Sequence, residues 1–146
     1  MTPSRIRPDI VADRVAWTRK MVAGIRALPI SDKAAFLASP QTAAAAESYL
    51  RRALEALLDL GRHLLSKGFG LAVVEYREIA TKLGECGVLN SDETALMRDM
   101  AGYRNRMAHF YDEVSEEEIF NIVTHQLTDF ERVLEAIVRW VDSPRT

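Results

Sequence analysis

Helical periodicity organises this chain from end to end, and that regularity restricts the fold more than any other feature. Apolar residues recur at three- and four-residue steps, the mark of amphipathic helices that turn one face to a core. Ile10, Val15, Trp17, Met21, Ile25 and Leu28 form one such stripe and predict a helix over about residues 9–28, ended by Pro29. Ser31 or Asp32 is placed to cap a short following turn that carries Phe36 and Leu37. Ser39-Pro40 opens a long helix, with a capping hydroxyl followed by a proline where the missing N–H costs nothing. Leu50, Leu54, Leu57, Leu58, Gly61 and Leu65 share one face of it, and Arg51, Arg52, Glu55, Asp59 and Arg62 take the other. Its early run Ala43-Ala44-Ala45-Ala46 has a small cross-section, which lets a neighbouring helix approach closely.

Lys67-Gly68-Phe69-Gly70 breaks that helix. A short helix through Tyr76, Ile79, Ala80 and Leu83 ends between Gly84 and Gly87. Ser91 is the expected cap of the next one, which carries Leu96, Met100, Tyr103 and Met107, with Asp92 and Glu93 against its N-terminal dipole. Ser115 with Glu118 is a capping box, and it opens a last helix lined by Ile119, Ile122, Val123, Leu127, Phe130, Leu134, Ile137 and Val141. No stretch alternates as a half-buried strand does, and no Asn-Gly hairpin signal occurs. Without internal repeats or a low-complexity linker, the expectation is an all-α fold. It is an antiparallel four-helix bundle with additional short helices, as one domain over residues 1–146.

A chain of 146 residues with 48% hydrophobic residues can bury a core without staples. The net charge of −2 argues against a protein that coats nucleic acid through its whole surface, so any such function must rest on a few placed side chains. Cys86 is the single cysteine, read as a small apolar residue near a helix end, and one thiol suits a reducing cytosol. No apolar run approaches the ~20 residues that span a bilayer. The basic N-terminus is followed by Asp9 and Asp13 rather than the apolar core of a signal peptide, so the expected location is cytoplasmic.

Chemistry concentrates between Met100 and Asp112, where two arginines, an amide, a histidine and two tyrosines fall at the end of a helix. Arg104 and His109 are five residues apart, so an ideal helix of ~3.6 residues per turn points them about 140° away from each other. They meet on one ligand if the helix frays near Ala108, or if two copies of the segment face each other across a two-fold axis. Such a cleft suits cleavage of an RNA phosphodiester. A histidine near neutral pKa removes the proton from the 2′-hydroxyl or protonates the leaving 5′-oxygen. An arginine fork holds the phosphate and stabilises the charge that gathers on it. Asn105 orients either group, no metal is required, and a helix C-terminus at His109 would raise its pKa.

Arg104-Asn105-Arg106-Met107-Ala108-His109-Phe110-Tyr111 resembles the signature of HEPN-domain proteins, an arginine and a histidine separated by four residues, with a polar residue directly after the arginine. The tyrosine two positions after the histidine is similar to the HepT subfamily, toxins paired with small MNT-type nucleotidyltransferases. The likeness extends over about residues 9–141, through Asp59-Leu60-Gly61-Arg62-His63-Leu64-Leu65 and through Tyr76 to Leu89. It implies a homodimeric four-helix bundle that cuts RNA without metal or cofactor in a cleft across the dimer. Arg104 and His109 are then catalytic and Asn105 supports them, while Tyr111 is the site where the partner nucleotidyltransferase attaches AMP. Arg106 departs from the expected intervening residues and would add a phosphate contact.

Other residues carry less. His63, His109 and His125 show no paired metal-ligand spacing, so a zinc site is not expected. Asp59 is read as a solvated helix acid, or else an acidic partner in the cleft; the run from Asp112 to Glu118 is read as a helix-start feature. Trp17 and Trp140 are read as core or interface anchors. No GxxxxGK[ST] or GxGxxG loop is present. Two other readings remain, a non-catalytic nucleotide- or substrate-binding partner of a nucleotidyltransferase and a structural helical adaptor.

Overall fold

The computed structural model describes residues 5–108 and 114–143, and within them the chain is helical with no strand. The helices are α1 (Pro8–Arg26), α2 (Lys33–Ala38), α3 (Pro40–Phe69), α4 (Tyr76–Glu85), α5 (Ser91–Ala108), α6 (Glu116–His125) and α7 (Leu127–Asp142). The all-α expectation holds, and α1, α3, α5 and the α6–α7 arm are its main rods.

Most helices start where a side-chain acceptor takes an otherwise orphaned N–H. Asp32 accepts from Ala35 N–H, Ser39 from Thr42 N–H, Glu75 from Glu78 N–H and Ser115 from Glu118 N–H. At α5 the cap is Asn90 rather than Ser91. Its side chain accepts from Glu93 N–H at 2.8 Å, and Glu93 returns the favour to Asn90 N–H at 2.9 Å. The reciprocal box needs a glutamate three residues after the cap, and of Asn90 and Ser91 only Asn90 has one.

Three other expectations are corrected. The buried stripe of α1 runs through Val11, Val15, Thr18, Val22 and Ile25, so Trp17 lies one residue, about 100°, off it. Thr18 tolerates burial because its hydroxyl donates to Arg14 O at 2.8 Å. The helix break falls at Gly70, whose φ of 68° is left-handed, while Gly68 lies inside α3 against Ile6 and Trp140. The last helix is interrupted at Gln126 (φ −122°, ψ 4°), which divides it into α6 and α7.

The long α3 is the spine: α1, α2, α4, α5 and α6 all pack on it. Its leucines 50, 54, 57, 58, 60, 64 and 65 are fully buried. The α1–α3 pair is antiparallel, with Arg7 N–H donating to His63 Nε2 at one end and Gly24 lying against the ring of Tyr49 at the other. Ala43 and Ala46 of α3 are buried, and Phe36 of α2 meets Phe120 of α6 at 5.2 Å between ring centres. Helices α4 and α5 form a second tight pair. No helix among the described residues is long and apolar enough to cross a membrane.

Candidate active site

The C-terminal half of α5 faces α3 and the start of α4, and that junction positions Arg104. The Arg104 guanidinium pairs with Glu55 of α3 at 2.9 Å, and the two side chains are only 17% and 34% exposed. Its Cζ lies 5.1 Å from the centre of the Tyr76 ring, while Arg62 approaches the same ring at 5.3 Å. Two guanidiniums therefore share one aromatic platform. Arg104 Nε is buried with no hydrogen-bond partner among the described residues. A cation so enclosed, with donor capacity left over, is held in one place rather than waving in solvent.

The platform is itself clamped. Arg62 donates from Nε to Val73 O at 3.1 Å and from Nη2 to Val74 O at 3.0 Å, and Nη1 reaches Asp59 at 3.1 Å. The connector from α3 to α4 is thereby fixed, and Tyr76 follows it directly. Next to Arg104, the Asn105 amide faces Glu75 Oε1 at a long 3.5 Å. Burial pulls the Glu75 carboxyl up, but the N–H groups of Glu78 and Arg77 and the Asn105 amide outweigh it and leave it below the usual range.

Arg106 goes elsewhere. Its guanidinium engages Glu118 at the start of α6, with Nη2 at 2.9 Å from Oε1 and Nη1 on Oε2, and this holds the Glu118 carboxyl below its ordinary pKa despite some burial. The structure thus brings Arg104 and Asn105 to one junction and commits Arg106 to a different carboxylate. His109 and Tyr111 lie outside the described residues, as does the acidic segment up to Glu113.

The remaining sequence candidates find ordinary places. Asp59 pairs with Arg62 and is half exposed. His63 accepts the Arg7 N–H, and burial together with Lys67, Arg14 and Arg7 pushes its pKa down. His125 contacts Asn121 O through Nδ1 at 3.0 Å. Cys86 is the residue after α4, and burial raises its thiol pKa, the opposite of a reactive thiolate. Trp140 is half-buried against Phe69, but Trp17 is 42% exposed, an aromatic at the surface rather than in the core. No group of three or more His, Cys, Asp or Glu side chains is placed to hold a metal ion among the described residues.

Sequence reasoning placed Glu55 on a polar face without a role, and gave Glu75 none. Their tasks arise from the approach of α3 and α4 to α5, which no local pattern encodes.

The fold and this junction define the class, an all-helical HEPN-type bundle. The chain superposes on the tri-AMPylated Shewanella oneidensis HEPN toxin, solved in complex with an MNT antitoxin, with a TM-score of 0.81 at 22% identity, covering 90% of this chain and 98% of that one. A toxin–antitoxin structure with AMP-PNP gives 0.80 at 21% identity over 90% of this chain and 99% of the other. Residues 20–137 match the sequence model described as "Ribonuclease HepT-like", and the chain belongs to that HepT-like ribonuclease family. A curated relative, the mRNA nuclease HepT of Shewanella oneidensis, is 27% identical over 89 residues; the match covers 60% of this chain and 66%, just under two thirds, of the relative. The resemblance drawn from the residues 104–111 and their flanking helices is borne out at the level of family and fold.

Proposed function

We propose that this chain is a metal-independent endoribonuclease toxin, a single-domain cytoplasmic protein acting as a homodimer with its cleft across the two-fold axis. The observation that carries the reading is the fixed, largely buried Arg104 guanidinium, held by Glu55 and Tyr76, in a chain of the HepT-like ribonuclease family. In this reading Arg104 holds the scissile phosphate and stabilises its developing charge. His109 carries the proton that leaves the 2′-hydroxyl or reaches the departing 5′-oxygen. The 2′-oxygen bonds to phosphorus as the 5′-oxygen leaves, giving a 2′,3′-cyclic phosphate and a free 5′-hydroxyl. Asn105, tied to Glu75, supports the site from the same helix turn.

The partner in this proposal is an MNT-type nucleotidyltransferase that transfers AMP to Tyr111. Support comes from the relative whose structure is a tri-AMPylated HEPN toxin with an MNT antitoxin. Bulk and negative charge two residues from His109 would block phosphate entry.

The test is direct. Purified protein incubated with RNA in excess chelator should leave cyclic-phosphate ends, and Arg104→Ala and His109→Ala should abolish them. RNA that stays intact with the natural chain, or equal cutting by His109→Ala, would overturn the catalytic reading and leave a nucleotide-binding partner in its place. Co-expression with the nucleotidyltransferase should add AMP mass to the natural chain and not to Tyr111→Phe.

A further inference from the structure

Beside the Arg104 junction lies a second feature that the cleavage chemistry does not use. Helices α1 and α3 leave an open cleft of about 280 Å³, lined by Asp13, Arg14, Trp17, Arg52, Glu55 and Asp59. This is just below the usual range of small-molecule pockets and suits one planar group. Glu55 belongs to both places: it walls the cleft and binds Arg104.

The charges sort themselves on inspection of their partners. Asp13 pairs with Arg14 at 2.7 Å, Glu55 with Arg104 at 2.9 Å and Asp59 with Arg62 at 3.1 Å. Every acid of the cleft is therefore matched by an arginine. Arg52 has no acidic partner among the described residues; Lys20 Nζ already sits over the Trp17 ring, 5.5 Å from its centre, and is not among the cleft's lining residues. The lining itself holds three acids and two arginines, and once each acid is paired, Arg52 is the lining cation left without an acidic partner, beside the part-exposed indole of Trp17.

Trp17 is 42% exposed and is, with Val74, one of two large hydrophobics exposed among the described residues, so part of its indole is open to a ligand. A protein partner would favour a broad apolar patch, whereas here a single part-exposed aromatic lies among three paired acids and two arginines, one of them without an acidic partner. That combination is what a single-stranded nucleic acid uses: a stacking surface for a base and cations for the flanking phosphates.

We propose that the Trp17–Arg52 cleft is a substrate subsite, in which one base of single-stranded RNA stacks on Trp17 and the adjoining phosphate meets Arg52, beside the phosphate held by Arg104. The idea rests on the ribonuclease reading for its biological sense, but its test does not need cleavage. A ten-nucleotide 2′-O-methyl RNA lacks the attacking hydroxyl and serves as an uncleavable probe. In a Trp140→Phe background Trp17 is the only tryptophan, and titration with the probe should quench its fluorescence. With labelled probe, Trp17→Ala should weaken binding about tenfold and Trp17→Phe much less, because one base–aromatic stack is lost or kept. Arg52→Gln should lower the slope of log affinity against log salt by about one, since one phosphate contact goes.

Absence of quenching, or unchanged affinity in Trp17→Ala, would overturn the subsite. So would a loss confined to self-association or to nucleotidyltransferase binding, which would assign the cleft to a protein surface. Cleavage of ordinary RNA that proceeds without any dependence on Trp17 would leave the ribonuclease and remove the subsite. Quenching and tenfold loss without any cleavage would do the reverse.

Discussion

Two glycines that would place a new methyl at the same distance from a neighbour should respond to alanine with opposite signs. At Gly61, in the middle of α3, an added Cβ meets Ile79 Cγ2 at 2.8 Å, Leu83 Cδ1 at 3.0 Å and Met97 Cε at 3.2 Å. All three neighbours are fully buried. Ile79 is β-branched and helical, so its χ1 has essentially one allowed setting and cannot swing away. Met97 can yield, but Ile79 and Leu83 can move only if α4 moves. Overpacking of this kind costs ~1–3 kcal/mol, against a gain of ~1 kcal/mol for replacing glycine in a helix interior. Gly61→Ala should therefore lose about 1 kcal/mol. At Gly102, in α5, the nearest atom is also at 2.8 Å, but it is Nη2 of Arg77, the far end of an exposed flexible side chain. There the clash relaxes at little cost and the helix gain survives, so Gly102→Ala should be neutral or stabilising by up to ~1 kcal/mol. Urea titrations should show the two midpoints moving apart with unchanged slope, and melting temperatures should separate by several degrees. Equal shifts in the two variants, or a more stable Gly61→Ala, would refute the argument that the rigidity of the neighbour decides the sign.

Three further outcomes are expected. A double-mutant cycle of Glu55→Gln and Arg104→Gln should give a coupling of about 1 kcal/mol in urea unfolding, between the small value of an exposed pair and the larger one of a buried pair; additivity within error would dissolve the pair. Asn90→Ala should cost ~1 kcal/mol of stability while Ser91→Ala costs little, a comparison of urea midpoints that tests which residue caps α5. Since burial and nearby cations lower the His63 pKa in the folded protein, the unfolded chain binds more protons as pH falls below 6.5. Stability should thus fall as pH drops from about 6.5 towards the folded pKa, stay lowered below it and be unaffected above, and His63→Gln should flatten that part of a stability–pH curve.

Local signals in this sequence were reliable where a single side chain does the work. Ser39-Pro40, Asp32 and Ser115 all cap the helices they precede. The Asn90 cap was equally legible, because Glu93 stands three residues on, but Ser91 competes as an equally favoured residue type. Gln126 was hidden, since Val123 and Leu127 keep a four-residue apolar step straight across the interruption and no glycine or proline marks it. Trp17 was misplaced because a stripe drawn through apolar types passes over Thr18, whose burial is allowed only by its bond to Arg14 O. At the candidate site, the sequence pointed to Arg104 and Asn105, but the partners the structure gives them, Glu55 on α3 and Tyr76 and Glu75 at the start of α4, come from elsewhere in the chain. Such relations are set by how rods cross, and crossing leaves no trace in periodicity.

The interruption at Gln126 gives the C-terminal arm two separate jobs. Helix α6 leans on α2 and α3, while α7 leans on α5 and reaches α1, where Arg19 grips Glu131 through both oxygens. The helix that carries Arg104 is thus buttressed on one flank by the final turns of the described chain, including Arg139 against Glu93. Shortening or loosening that terminal rod would remove a prop from the first turn of α5, eleven residues before Arg104, whose own partners Glu55 and Tyr76 sit on α3 and α4.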